Sequence, residues 1–325
     1  MNNSKILIIF TGGTISMKND DILNKSIMMT STVNLKTILI DVFSAIEFTF
    51  IEHSLMPSPW ITPNDMFNLA KLIEMNINHY DGIVVTHGTD TIEETAYFID
   101  QFLATKTPIV FTGSMRNLSE LGYDGLNNIV SSVLVAINEK SKNRGVLLVF
   151  NDEINSISEV TKTHTLALDT FKSLEFGPLG IVDQRDVLYY REYTKNKQKL
   201  NISKLTKRVE IIKCYSGMDP TILDFMVDNK VDGIIIEAFG RGNVPPSLVP
   251  GIRRAIAKSI PIVITSRSFK GRVLDTYAYE GGGHQLKEIG VLFGGNLNAQ
   301  KARIKLLLAI NFYSDPSNIS KLFKS

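Results

Sequence analysis

The residues most capable of chemistry lie in two glycine turns. Thr11-Gly12-Gly13-Thr14-Ile15 and His87-Gly88-Thr89-Asp90-Thr91 each follow directly on a short apolar run, Ile6 to Phe10 and Ile83 to Val85. Such runs read as buried strands, and open parallel sheets gather ligands at the carboxyl ends of their strands. In the first turn the two glycines leave room for a substrate backbone and set the Thr14 hydroxyl just past a strand end. An alcohol is a weak nucleophile at neutral pH and needs a neighbouring base or polarising network before it attacks a carbonyl. Taken alone, this turn is equally a glycine turn with a helix-capping threonine.

The second turn adds another hydroxyl, Thr89, and a carboxylate, Asp90, on one loop. That combination suits proton transfer and the binding of a cationic amino group, as in a small amino acid. Asp90 alone is also an ordinary turn carboxylate bonding its own backbone. His87 reads more readily as a buried, hydrogen-bonded histidine than as a catalytic one.

Elements that could position these turns alternate along the chain. The apolar runs Ile6 to Phe10, Ile83 to Val85, Ile109 to Phe111 and Val146 to Phe150 are separated by helix-like patterns, the signature of a parallel sheet covered by helices. Thr91 and Glu94 predict a capping box for a helix carrying Ile92, Ala96, Ile99 and Leu103 on one face. Asp124 before Gly125 predicts another helix, running through Asn138. The pattern lapses from Tyr190 to Arg208 into a lysine-rich stretch, read as an interdomain connector rather than a binding patch. It resumes with Val209 to Ile212, Gly233 to Ile236, Pro261 to Thr265 and Val291 to Phe293, and Asp219-Pro220 predicts a helix start between the first two.

The fold expected is therefore α/β in two domains. Residues 1–190 form a larger N-terminal catalytic domain, a parallel-rich sheet flanked by helices. A linker at 191–208 leads to a smaller C-terminal α/β domain at 209–325.

Composition agrees and narrows the function. The chain has 325 residues, 44% of them hydrophobic, and a formal net charge of +2. A nucleic-acid binder would show a strongly basic face and a reading motif, and neither stands out. Cys214 is the one cysteine, too few for a disulfide framework or a thiolate metal site. The five histidines form no i, i+4 metal pair, so metal dependence is not expected. The first apolar run ends in a glycine turn instead of a cleavage site, and no stretch approaches a membrane span, which leads to the expectation of a cytoplasmic protein with no membrane partner. The first turn lacks the Gly-x-Gly-x-x-Gly spacing of a dinucleotide site.

Together these segments resemble the bacterial-type L-asparaginases and their glutaminase-asparaginase relatives. Thr11 to Ile15 and Thr86 to Thr91 look like the two signature segments of that family, and Glu93-Glu94-Thr95-Ala96-Tyr97 continues the second. Further similarity appears at Thr112 to Arg116, Asn151-Asp152, Val160 to Thr163, Phe171 to Ser173 and Leu297 to Arg303, so the resemblance runs from about residue 5 to the end.

The resemblance implies hydrolysis of L-asparagine to aspartate and ammonia through a covalent acyl-enzyme, with minor glutaminase activity beside it and no metal or organic cofactor. It puts Thr14 at the position of the primary nucleophile. Thr89, Asp90 and Lys162 match a second polar set in which an amine and a carboxylate flank a hydroxyl. An amine beside hydroxyls can take and return protons, although Lys162 by itself would read as a surface lysine. Gly13, Gly88 and Ser58 match substrate-contacting positions, Ser58 that of the α-carboxylate. Asn243 and Glu280 match groups that reach a neighbouring subunit's site, which implies a homotetramer built as a dimer of dimers. A related subunit of a transfer-RNA amidotransferase carries an added amino-terminal domain, whereas here the first strand starts almost at once. A silent amino-acid-binding protein is disfavoured by the joint presence of Thr14, Thr89, Asp90 and Lys162.

Two departures from the family pattern stand out. After Ser58 come Pro59 and Trp60 where a polar pair is usual, and Trp60 reads either as a pocket wall or as packing. No tyrosine occurs between Ser16 and Ile46, where the family commonly has one supporting the nucleophile. Tyr277 or Tyr279 is the expected substitute.

Overall fold

The computed structural model describes residues 4–20, 25–28, 33–193 and 199–323. The chain divides into two compact units, residues 1–199 and 200–325. Of the expected linker, residues 194–198 lie outside the described residues. The flanking parts belong to their own units: the Arg191 guanidinium donates to Glu159 and to the Gly177 carbonyl, whereas Thr206 N donates to Asn311 at 2.9 Å and Arg208 N to Asp232 at 2.8 Å.

In the first unit the strands are β1 (Ser4–Phe10), β2 (Met17–Asp20), β3 (Lys25–Met28), β4 (Ile46–Glu52), β5 (Gly82–Thr86), β6 (Ile109–Thr112), β7 (Val146–Phe150), β8 (Glu153–Ser156), β9 (Thr161–Lys162), β10 (Phe171–Lys172), β11 (Gly180–Asp183) and β12 (Asp186–Tyr189). Eight of them form one sheet in the order β12-β11-β8-β7-β6-β5-β1-β4. From β4 to β7 neighbouring strands are parallel, and from β7 to β12 they are antiparallel. From Ile6 onward in β1, and throughout β5, β6 and β7, every residue is buried because helices cover both faces, so these runs do not alternate to water. β4 alternates with Glu47 and Thr49 and is only half-buried along much of its length. That is why it escapes a search for apolar runs; β8, β11 and β12 escape because each has only four residues with polar ones or glycine among them.

The helices are α1 (Val33–Val42), α2 (Pro63–Asn76), α3 (Ile92–Phe102) and α4 (Gly125–Ile137). Ile6, Ile8, Phe10, Val84 and Val110 share a core with Leu35 and Leu39 of α1 and Ile129 and Val133 of α4. α3 packs against β6 and β7, with α2 beside it.

The connectivity fixes where a ligand can sit. From β1 the chain passes to β4 on one side and then returns to β5 on the other, so the strand order reverses at the β1–β5 pair. Loops diverge at such a switch point and leave a crevice between the two strand ends. Phe10 pairs with Thr86, so both glycine turns leave the sheet at the same level beside one another.

Two local expectations need correction. The helix after the second turn begins at Ile92 with Thr91 as its cap residue, but the Thr91 side chain makes no capping bond; its hydroxyl instead donates to the Ser58 carbonyl at 2.9 Å. The capping box lies elsewhere, at Thr62 and Asp65, which exchange side-chain and backbone bonds at the start of α2. The helix expected after Asp219-Pro220 begins at Thr221, whose N–H donates to Asp219 Oδ1 at 2.8 Å.

The second unit has one parallel four-stranded sheet of β13 (Val209–Lys213), β14 (Gly233–Ala238), β15 (Ile262–Ser266) and β16 (Leu292–Phe293), in that order. α5 (Thr221–Asp228), α6 (Val249–Ala257) and α7 (Gly283–Ile289) share a core with Ile234, Ile236, Ile262 and Ile264. α8 (Ala299–Phe312) and α9 (Pro316–Leu322) share another with Val209, Ile235 and Val263. Each unit thus has its own three-layer core. No helix among the described residues is long and apolar enough to cross a membrane.

Candidate active site

Three segments meet at the crevice between β1 and β5. The first turn passes over the second so closely that both need glycine: Gly13 has a φ of +85°, and a β-carbon there would stand 2.3 Å from the Gly88 Cα. A β-carbon on Gly88 would in turn stand 2.6 Å from the Cβ and Oγ of Ser58. Ser58 is in a 3₁₀ turn, Ser58–Trp60, after β4. Its hydroxyl accepts from Asp90 N at 3.3 Å and its carbonyl accepts from the Thr91 hydroxyl at 2.9 Å. The Gly13, Gly88 and Ser58 segments are therefore locked by main-chain contact and two hydrogen bonds. Thr11 adds a further bond between the turns, its hydroxyl donating to the Thr86 carbonyl at 2.8 Å.

Thr14 opens a 3₁₀ turn, Thr14–Ser16, in which Ser16 N donates to the Gly13 carbonyl at 2.9 Å. The turn is anchored by Ile15, fully buried in the core. Thr14 itself is half-buried.

Lys162 comes from a different part of the chain. It pairs with Phe171 in the two-stranded β9–β10 ribbon, and Phe171 packs on Phe150 at the end of β7 with ring centroids 4.7 Å apart. That apolar anchor brings the amine over the second turn, where Nζ donates to Thr89 Oγ1 at 2.9 Å and to Asp90 Oδ1 at 2.8 Å. Thr89 is buried, the Lys162 side chain is 20% exposed and that of Asp90 59% exposed. The hydroxyl thus faces inward while the carboxylate keeps an open side.

His87 lies beneath this loop, 1% exposed. Its Nδ1 lies 2.8 Å from the Gly88 carbonyl, which can only accept, so Nδ1 carries the proton. Nε2 is buried with no partner among the described residues, and burial pushes the imidazole down to about 4. It is a neutral packing and hydrogen-bonding group that shapes the loop carrying Thr89.

The remaining expected residues lie in the second unit. Asn243 follows β14, and its Oδ1 accepts from Gly283 N at 3.3 Å, while Val244 N donates to the Gly281 carbonyl at 2.9 Å. Asn243 is therefore tied to the loop holding Tyr277, Tyr279 and Glu280. The two tyrosine rings stack on each other with centroids 5.5 Å apart, and all three of these loop residues are exposed. Trp60 stands 70% exposed, outside the core. Among the described residues no three His, Cys, Asp or Glu side chains gather to hold a metal.

Two groups carry no functional signal in the sequence. Thr91 has the spacing of a helix cap, yet it clamps Ser58. Tyr123 had no role, yet its hydroxyl donates to the Ile15 carbonyl at 3.0 Å across 108 positions.

Comparison with known proteins identifies the family of both units. Residues 5–195 match the model of the asparaginase N-terminal domain and residues 208–323 that of the glutaminase/asparaginase C-terminal domain. A protein named as a probable L-asparaginase of Deinococcus radiodurans is 38% identical over 271 residues, 82% of this chain and 83% of that protein. The L-asparaginase of Bacillus licheniformis is 34% identical over 322 residues, 96% of this chain and 97% of its own. The crystal structure titled as a probable cytoplasmic L-asparaginase from Campylobacter jejuni superposes with a TM-score of 0.87 at 28% identity, covering 98% of this chain and 99% of that one. With both domain models matched in order and relatives aligned over most of their length, the chain belongs to the asparaginase family.

Proposed function

We propose that this protein hydrolyses the side-chain amide of L-asparagine to L-aspartate and ammonia through an ester on Thr14, with L-glutamine as a poorer substrate. The observation that carries the reading is the bridge from Lys162 Nζ to Thr89 Oγ1 and Asp90 Oδ1. Because Thr89 accepts from the lysine, its own O–H remains available to a ligand in the crevice. Ser58 is in the same situation, accepting from Asp90 N and keeping its proton for a ligand. The open side of Asp90 suits an α-ammonium and the Ser58 hydroxyl an α-carboxylate.

In the first half-reaction the Thr14 oxygen bonds to the amide carbon, the carbon–nitrogen bond breaks, and nitrogen leaves as ammonia with the proton that Thr14 gave up. Thr89 and Lys162 relay that proton. In the second, water adds to the ester carbon, the bond to Thr14 breaks, and a water proton returns to the threonine. The turn amides near Gly13 and Gly88 are suited to stabilise the oxyanion of either step.

Asn243 and Glu280 complete the site of a neighbouring subunit in a homotetramer, and Tyr277 or Tyr279 supplies the hydroxyl that supports Thr14. The hydrogen bond from Gly283 N to Asn243 supports treating that loop as one preformed patch. The crystal structure titled as cytoplasmic, which covers nearly the whole chain, supports a cytoplasmic location. Ammonia release from asparagine and glutamine by the purified protein and by Thr14→Ala tests the mechanism. Loss of about 10³-fold or more is expected in the variant. Equal rates in the two proteins overturn Thr14 as nucleophile. The one-methylene difference between substrates sets an asparagine preference of about 10–200-fold.

A further inference from the structure

We infer that Tyr123 is a positioning residue for the Thr14 turn, holding it through the Ile15 carbonyl. This rests on Thr14 acting as nucleophile and assigns a function to the segment between β6 and α4. Four carbonyls in and beside the turn have identified donors. Gly13 O accepts from Ser16 N and Thr14 O from Met17 N, both within the turn. Ile15 O accepts from the Tyr123 hydroxyl at 3.0 Å and Met17 O from Leu118 N at 3.0 Å. A buried-side carbonyl left without a donor costs about 1–3 kcal/mol, so a turn this short keeps the geometry that its outside partners impose.

The segment is built to present that hydroxyl. The Asp124 carboxylate accepts from Met115 N and Arg116 N, at 3.0 and 2.9 Å, instead of capping its own helix. Arg116 Nη1 donates back to the Leu121 and Gly122 carbonyls at 3.0 and 3.2 Å. The Tyr123 ring packs on the core of the first unit and lies over the start of α4, where residue 125 is glycine. A β-carbon there would stand 2.3 Å from the Tyr123 hydroxyl, so Gly125 leaves the space that the phenol occupies. Burial, with Asp124 alongside, raises the phenol above its ordinary range, so it remains a hydrogen-bond donor throughout the working pH range.

Tyr123 touches neither Ser58 nor Asp90 through any hydrogen bond, so its removal separates turnover from binding. In Tyr123→Phe, kcat for asparagine is expected to fall about 10–100-fold with KM within twofold, since displacing a reacting group by about 1 Å costs up to 10²-fold. Amide exchange at Ser16 and Met17 is expected to accelerate at least tenfold. Gly125→Ala, which pushes an intact phenol off its place, reproduces both effects. Unchanged kcat, unchanged exchange, or kcat and KM altered together with a general loss of thermal stability each overturn the inference. The exchange measurement reports on the turn whichever hydroxyl is the nucleophile, and full activity in Thr14→Ala separately marks failure of the underlying reading.

Discussion

Gly13 and Gly88 meet main chain to main chain, with the position of a Gly13 β-carbon only 2.3 Å from the Gly88 Cα and 2.4 Å from its nitrogen. Neither partner is a flexible side-chain end that could move aside. Gly13→Ala adds a left-handed strain at φ +85° to the collision, whereas Gly88→Ala collides with Ser58. Both variants are expected to lose about 100-fold or more in kcat/KM and to melt lower, Gly13→Ala the more so. Steady-state kinetics with differential scanning fluorimetry checks this.

Lys162→Met separates chemistry from stability. Its ion pair with Asp90 is open to water on the carboxylate side, and such pairs contribute at most about 1 kcal/mol. As part of a proton relay the amine is worth about 10²–10⁴-fold in rate. The expected result is a nearly unchanged urea midpoint with turnover reduced in that range. Unaltered turnover would remove the lysine from the relay.

Thr91→Val and Thr62→Val make a contrasting pair. Thr91 holds the Ser58 carbonyl and caps nothing, so its loss is expected to raise KM for asparagine several-fold at almost unchanged stability. Thr62 belongs to a true capping box, and its loss should cost about 1 kcal/mol with KM intact. Chemical denaturation and substrate titration on the two variants read out both halves.

Acid sensitivity should trace to His87. Its folded-state value is about 4 against 6.5 when free, so the neutral ring is the one the fold prefers. Between pH 6.5 and about 4 the unfolded chain takes up a proton that the folded one refuses, and stability falls as pH drops through that window. Above 6.5 the contribution is fully present, and below about 4 no more is lost. From pH 7 to pH 4.5 the decrease amounts to about 2–3 kcal/mol. In His87→Asn, which can still donate to the Gly88 carbonyl but does not titrate, the corresponding segment of a stability-against-pH curve should flatten.

The sequence made legible what depends on local pattern. Ile6 to Phe10 and Val146 to Phe150 stood out because both faces of those strands are covered, and the order of such runs was enough to read an α/β fold. β4 did not stand out, since Glu47 and Thr49 break its run. The Thr-x-x-Glu signature at Thr91 records a spacing and not which acceptor the hydroxyl finds, so it does not show the bond to Ser58. Thr89, Asp90 and Lys162 could be grouped only through resemblance, for 72 positions separate Asp90 from the lysine and the ribbon carrying it owes its place to Phe171 packing on Phe150. Tyr123 left no signal at all, as its partner is a carbonyl, which has no identity in a sequence.

The floor of the proposed pocket is made of peptide groups rather than side chains. An engineer seeking a wider substrate range has nothing there to trim or recharge, because any atom added to Gly13 or Gly88 enlarges the floor into its own neighbour. Tuning must come from the walls: the Ser58-Pro59-Trp60 turn on one side and the ribbon bearing Lys162 on the other. The glycine pair acts as a fixed datum against which those walls can be redrawn.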